Sequence, residues 1–161
     1  MKLTLMHFKR YISVTVGALV MLLFAQTLQA QQAPRTKSRK VIKRTAYVLD
    51  RTRDAVRSHQ VYTGKLAHAR NHQLFAFQLH RNQRFVRAIN HSMHARRLAF
   101  EAMKANKTAP PAGLDTEPGL PENPPSEQDL EFELDTEFDG KLHNDMQAAE
   151  SAEAYDLEIG E

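Results

Sequence analysis

Between Arg39 and Asn106 apolar residues return at steps of three and four, with no proline and a single glycine, Gly64. That spacing gathers them on one face of an α-helix; a strand would show them at every second position. Val41, Thr45, Val48, Thr52, Ala55 and His59 share one such face, flanked by Ile42, Leu49 and Val56. The pattern predicts a first helix over 39–62, broken by YTGK at 62–65. There Gly64 takes the left-handed position after that helix, or Thr63 caps the next one. His68, His72, Phe75, Ala76 and Leu79 line a second helix, and the polar run RNQR at 81–84 makes a turn. In the third, Phe85, Ala88, Ser92, Ala95, Ala99 and Ala102 form a stripe of small residues with Ile89, Met93, Phe100 and Met103 beside it. Short turns force consecutive helices to run antiparallel. The expected fold class is therefore all-α, a small three-helix antiparallel bundle within a basic helical domain at 31–107.

Small side chains let a partner helix approach closely. The stretch Asn71–Ala105 resembles a tetratricopeptide-type helical hairpin: Ala76 sits where one helix nears the other, Phe85 opens the second helix, Ala88 follows three residues later and Ala95 seven after that. The helix at 39–62 would serve as its packing neighbour. The resemblance implies a helical interaction module without catalysis, because such units act by stacking and binding.

Six of the seven prolines fall within TAPPAGLDTEPGLPENPPS, residues 108–126, which reads as an extended linker, since proline lacks a backbone donor and pushes its predecessor out of the helical region. Beyond it, Ser126 followed by Glu127, Gln128 and Asp129 is a helix start with a capping box. Leu130, Leu134, Phe138, Leu142 and Met146 then recur every fourth residue, predicting an acidic amphipathic helix over 127–150 that Gly140 weakens. Two other readings stay open: a strand, from the alternation in DLEFELD, and a segment that is disordered until it meets a basic surface. Residues 151–161 read as a disordered tail.

At the other end, Lys2, Lys9 and Arg10 precede an apolar run from Ile12 to Ala25 and a polar exit ending at Ala30. These are the parts of a secretory signal peptide over 1–30, cleaved after Ala30 or after Ala25, which would send the chain to the periplasm or outside the cell. An uncleaved anchor is disfavoured because the basic cluster from Arg35 to Arg44 would invert it. No stable transmembrane span is expected after cleavage.

Charge divides the remainder in two. Residues 31–107 hold 18 Lys and Arg against three acids, a net of +15, while residues 108–161 hold 16 acids against Lys141, a net of −15. The formal charge of +3 is therefore the basic start of the chain. A cationic block attracts polyanions, and an acidic block tethered to it competes for the same surface. The expected partner is the chain's own acidic tail, docking Leu130, Leu134 and Phe138 on the basic domain with its carboxylates toward Arg70, Arg96 and Arg97. Another protein, or an extracellular polyanion such as DNA, an anionic glycan or lipid headgroups, is the alternative.

Histidine supplies the one cluster of metal-binding type. His68 and His72 are four apart on one helix, His91 and His94 three apart on the next, and antiparallel pairing sets His72 level with about Met93. An imidazole site for zinc, copper or nickel follows. Against it, Arg70, Arg96 and Arg97 crowd the region with positive charge, and no acid of the helical half is placed to orient the rings; packing histidines are the competing reading. No other cofactor is expected. The absence of cysteine excludes thiolate ligands and nucleophiles, and the dispersed glycines exclude phosphate-cradling loops. Ser58, Ser92 and Ser151 lack a nucleophile-elbow context, so no enzymatic activity is expected.

Overall fold

The computed structural model describes residues 33–118 and 123–138. Two compact units divide the chain, Met1–Thr36 and Lys37–Glu161, and the account below concerns the second. Among the described residues there are four helices and no strand: α1 over 33–59, α2 Lys65–Arg81, α3 Phe85–Ala105 and α4 Glu127–Glu137. The all-helical class read from the apolar spacing is what the chain adopts, and the helices pack on one another. No described helix is long and apolar enough to cross a membrane. The signal peptide expected at 1–30, the tail at 151–161, and Leu142 and Met146 lie outside the described residues.

Helix ends explain where the elements stop. α1 ends at 59, three residues earlier than expected, with Gln60 in the left-handed region (φ 56°) and its N–H donating to the Val56 carbonyl at 2.7 Å. Gly64 is left-handed too (φ 78°), but it stands immediately before α2 as its N-cap, and does not close α1. After α2, Arg84 N–H donates back to Leu79 and Gln83 N–H to His80; after α3, Thr108 N–H donates to Met103 and Lys107 N–H to Lys104. Both are Schellman closures, with Gln83 (φ 61°) and Lys107 (φ 52°) in the position glycine usually holds.

The apolar core comes in two parts separated by a polar layer. One part joins Val48, Leu49 and Val56 of α1 with Leu66 and Ala69 of α2 and Ala95, Ala99 and Ala102 of α3. The other joins Ile42, Phe75, Ala76, Leu79 and Ala88 with Leu134 of α4 and Phe138 just after it. Along each of the first three helices, the positions between these two sets are polar and buried: Thr45, then Asn71, His72 and Gln73, then His91 and Ser92. Hydrogen bonds settle this layer, as burial of polar groups requires. Thr45 Oγ1 donates to the Ser92 carbonyl (3.1 Å), Ser92 Oγ lies 3.0 Å from Gln73 Oε1, and Gln73 Nε2 donates to the Ile42 carbonyl (3.0 Å).

Arg96 is also part of the buried layer, with only 1% of its surface exposed. Its guanidinium donates to Thr45 Oγ1, to the carbonyls of Val41 and Leu114, and to Glu117 Oε1 at 2.8 Å. Glu117 accepts a second bond from Arg44, which also donates to the Gly113 carbonyl. The segment read as an extended linker is thus fastened to the bundle over its first half. Gly113 makes the bend there, at φ 72°. Asn106 pins the loop after α1 in a similar way: its amide accepts from the Val61 N–H and donates to the Val61 carbonyl.

Candidate functional site

α4 forms for reasons legible in Ser126–Asp129. The Ser126 hydroxyl accepts from the Asp129 N–H while the Asp129 carboxylate accepts from the Ser126 N–H, a complete capping box. Glu127 and Asp129 sit in the first turn, where acids oppose the helix dipole favourably. Leu130, Leu134 and Phe138 are buried while Phe132 is exposed, which is the helical pattern; a strand would have placed Phe132 with the two leucines. The helix ends at Glu137, with Phe138 already extended, so the stretch expected to continue to 150 has turned non-helical at 138 and its remainder lies outside the described residues. Phe138 packs on Phe75, ring centroids 5.5 Å apart.

This seating lays four carboxylates over the exposed edge of the polar layer. Glu127 meets Arg97 (3.5 Å), Glu133 meets Arg87 (2.9 Å), and Glu137 meets both Arg87 (2.8 Å) and Arg84 (3.1 Å). Glu131 is the centre of a different group. His68 Nε2 lies 2.7 Å from its Oε2, while His72 Nε2 (3.1 Å) and His94 Nε2 (2.9 Å) both lie against its Oε1. Three imidazole nitrogens from two helices converge on one carboxylate. Behind them, His72 Nδ1 is 3.0 Å from His91 Nδ1, and His91 Nε2 is 3.0 Å from Glu133. Arg97 donates to His94 Nδ1 at 2.6 Å.

Electrostatics sets the protonation of this cluster. Burial, only partly opposed by the contact with Glu131, pushes His72 from 6.5 down to about 4. Burial lowers His91 as well. Burial alone would raise Glu131, but its contacts with His68, His72 and His94 outweigh it and hold this carboxyl far below the usual range. Glu137 is lowered chiefly by its bond from Arg87.

All four histidines singled out from their spacing therefore meet in one place. The pairing expected from the turn is close to what is found, since His72 contacts His91 and its ring lies 4.4 Å from that of His94. Of the arginines assigned to the tail, Arg97 meets α4; Arg70 lies half-buried on α2. Arg96 is a correction. Its donors are taken by α1 and by residues 114–117, because a buried guanidinium is satisfied only by several acceptors at once, and it is inside the bundle. Spacing missed Arg84, Arg87 and the glutamates of α4. Their signal was present in the i, i+4, i+6 and i+10 acids from Glu127, which put Glu127, Glu131, Glu133 and Glu137 along one side of a helix. No protein-family model, curated protein or solved structure matches this chain.

Proposed function

We propose that the chain is an exported, non-catalytic helical interaction protein whose cationic surface is occupied by its own acidic helix. Export rests on the composition of residues 1–30. The α2–α3 pair we read as a tetratricopeptide-type hairpin with α1 as its neighbour in a three-helix bundle, a reading supported by the complete burial of Ala76, Ala88 and Ala95 where the helices meet.

One observation carries the functional reading. α4 combines a buried Leu130–Leu134–Phe138 stripe with carboxylates matched to Arg84, Arg87 and Arg97, so it behaves as a ligand of this surface held on the same polypeptide. Exposed ion pairs contribute at most about 1 kcal/mol each, so the apolar stripe supplies most of the attraction and the charges supply register and specificity. A partner of the same kind, an acidic amphipathic helix, is what the surface would accept once α4 leaves.

The test uses a labelled peptide of residues 123–138 added in trans. It is offered to the full chain and to a full chain whose α4 carries Phe138→Ala, Glu133→Gln and Glu137→Gln. The expected result is at least tenfold tighter binding to the loosened variant, by fluorescence anisotropy. Equal binding to both, or none to either, would overturn the reading. Should duplex DNA bind the variant better than the peptide does, with affinity falling steeply as salt rises, the polyanion reading replaces it.

A further inference from the structure

Histidine and carboxylate atoms meet in series through this cluster. Three contacts form a chain: Glu131 to His72, His72 to His91, and His91 to Glu133. Each needs a proton between its two heavy atoms, because a carboxylate oxygen and a bare imidazole nitrogen are both acceptors. Two neutral imidazoles carry two N–H protons, so the third contact is filled by one further cation, a proton or a metal ion. Glu133 is fixed by Arg87 and can only accept, so His91 presents Nε2–H to it and a bare Nδ1 to His72. A neutral His72 then places its own proton on Nδ1 and turns its Nε2 lone pair toward the Glu131 carboxylate 3.1 Å away, an arrangement that a bridging cation would complete.

His94 takes a different part. Arg97 can only donate, so His94 Nδ1 is the acceptor and Nε2 bears the hydrogen that goes to Glu131. His94 thereby orients the carboxylate from behind. His68 approaches the other oxygen from one turn away on α2, and the ligating atoms of His68, His72 and Glu131 all lie within 4.8 Å of one another.

We propose that His68 Nε2, His72 Nε2 and a Glu131 oxygen form a site for one divalent first-row transition metal ion, of which zinc is the test case. The arrangement is two imidazoles one helical turn apart plus one carboxylate, a donor set that zinc accepts readily. Metal–ligand bonds of about 2.0–2.2 Å put the donors of a tetrahedral ion about 3.3 Å apart, and His72 Nε2 lies 3.1 Å from Glu131 Oε1 and His68 Nε2 2.7 Å from Oε2. His68 is about one-third exposed, which leaves that side open for water as the fourth ligand. The supporting contacts are already built: the Glu133–His91–His72 chain holds the ring of His72, and His94 meets Glu131. Of the arginines that count against a cation in the sequence, Arg97 is paired to Glu127 of α4 and Arg96 to Glu117 inside the bundle; Arg87, beside them, is paired to both Glu133 and Glu137. The proposal takes from the preceding section only the seating of α4, and it stands or falls separately from any measurement of peptide or DNA binding.

The experiment titrates Zn²⁺ alone into chelator-treated full-length protein in competition with a chromophoric chelator. One ion per chain is expected, with a dissociation constant of about 1 µM or tighter. Glu131→Gln and His72→Ala should each weaken binding at least 30-fold. His91→Phe, which touches no ion, should weaken it about 10- to 100-fold. His59→Ala, on exposed α1 surface, should leave it unchanged. A ¹⁵N histidine spectrum of the unaltered protein needs no variant: zinc should shift Nε2 of His68 and His72 while His72 keeps its Nδ1 proton. Absence of binding at 1 mM zinc, binding indifferent to both Glu131→Gln and His72→Ala, or a metal-free spectrum showing His72 as an imidazolium that zinc does not alter would each overturn the proposal.

Discussion

Replacing Glu117 by glutamine tests whether residues 113–117 belong to the folded bundle. Glu117 and Arg96 face each other at 2.8 Å with side chains only 3% and 1% exposed. Removing one partner of such a pair strands a buried charge, at a cost of about 3–5 kcal/mol. Here the guanidinium keeps the Val41 and Leu114 carbonyls and the Thr45 hydroxyl, and glutamine keeps the volume and one acceptor, so the lower end applies, about 3 kcal/mol. Urea unfolding followed by far-UV circular dichroism is the assay, the chain having no tryptophan. With a slope of about 1–3 kcal/mol per molar urea, the midpoint should fall by about 1–3 M at unchanged slope. Pairing Glu117→Gln with Arg96→Met should cost less than the two single changes together by about 1.5 kcal/mol or more, because the second change removes the stranded charge. A midpoint shift below about 0.3 M, or strict additivity, would mean that Arg96 is hydrated in solution and that the segment after α3 is a free tether.

Gln83 occupies a left-handed position that costs a side chain roughly 1 kcal/mol, and glycine there should raise stability by about 0.5–1 kcal/mol, read as a higher urea midpoint. The loss of Gln83's side chain leaves the Schellman bonds intact, so a lower midpoint would contradict the closure described. Acid should loosen α4. Glu137 has its pKa lowered by Arg87, so the folded carboxyl releases its proton more readily than the unfolded one; its contribution is complete above about pH 4.5 and is lost as pH falls through the lowered value. Proton NMR of Phe138 against pH should show this transition, and Glu137→Gln should remove its share of it; an identical profile in the variant would refute the assignment.

The helices were legible because their cause is local. Three- and four-residue apolar spacing selects a helix whatever the neighbours do, and the Ser126–Asp129 box starts α4 by contacts within four residues. Their ends were less so. Gln60, Gln83 and Lys107 carry no mark of a left-handed residue, and the closures after α2 and α3 use backbone bonds five residues long; α1 stops at 59, three residues short of the 62 expected from the apolar spacing. The linker misled for a related reason. Proline density correctly excludes a helix, but says nothing about whether an extended segment lies on a surface, and the deciding group is a buried arginine that spacing placed on the outside.

The candidate site shows how far pairwise spacing reaches and what it leaves out. His68 with His72 and His91 with His94 could be brought together from the turn alone, since two helices joined by three residues have one register. Whether four imidazoles make packing or a ligand set is decided by their second partners, and those come from Glu131 and Glu133, joined to the histidines across a proline-rich stretch. Counting charge within the helical half gives a region hostile to cations. Adding α4 changes that, because its carboxylates pair with Arg87 and Arg97 and bring Glu131 to His68 (2.7 Å) and His72 (3.1 Å). The opposed charge blocks are therefore more than a means of keeping the two halves together. Their contact line is where two imidazoles and two carboxylates meet in series, and with both rings neutral one further cation, a proton or a metal ion, completes the third contact.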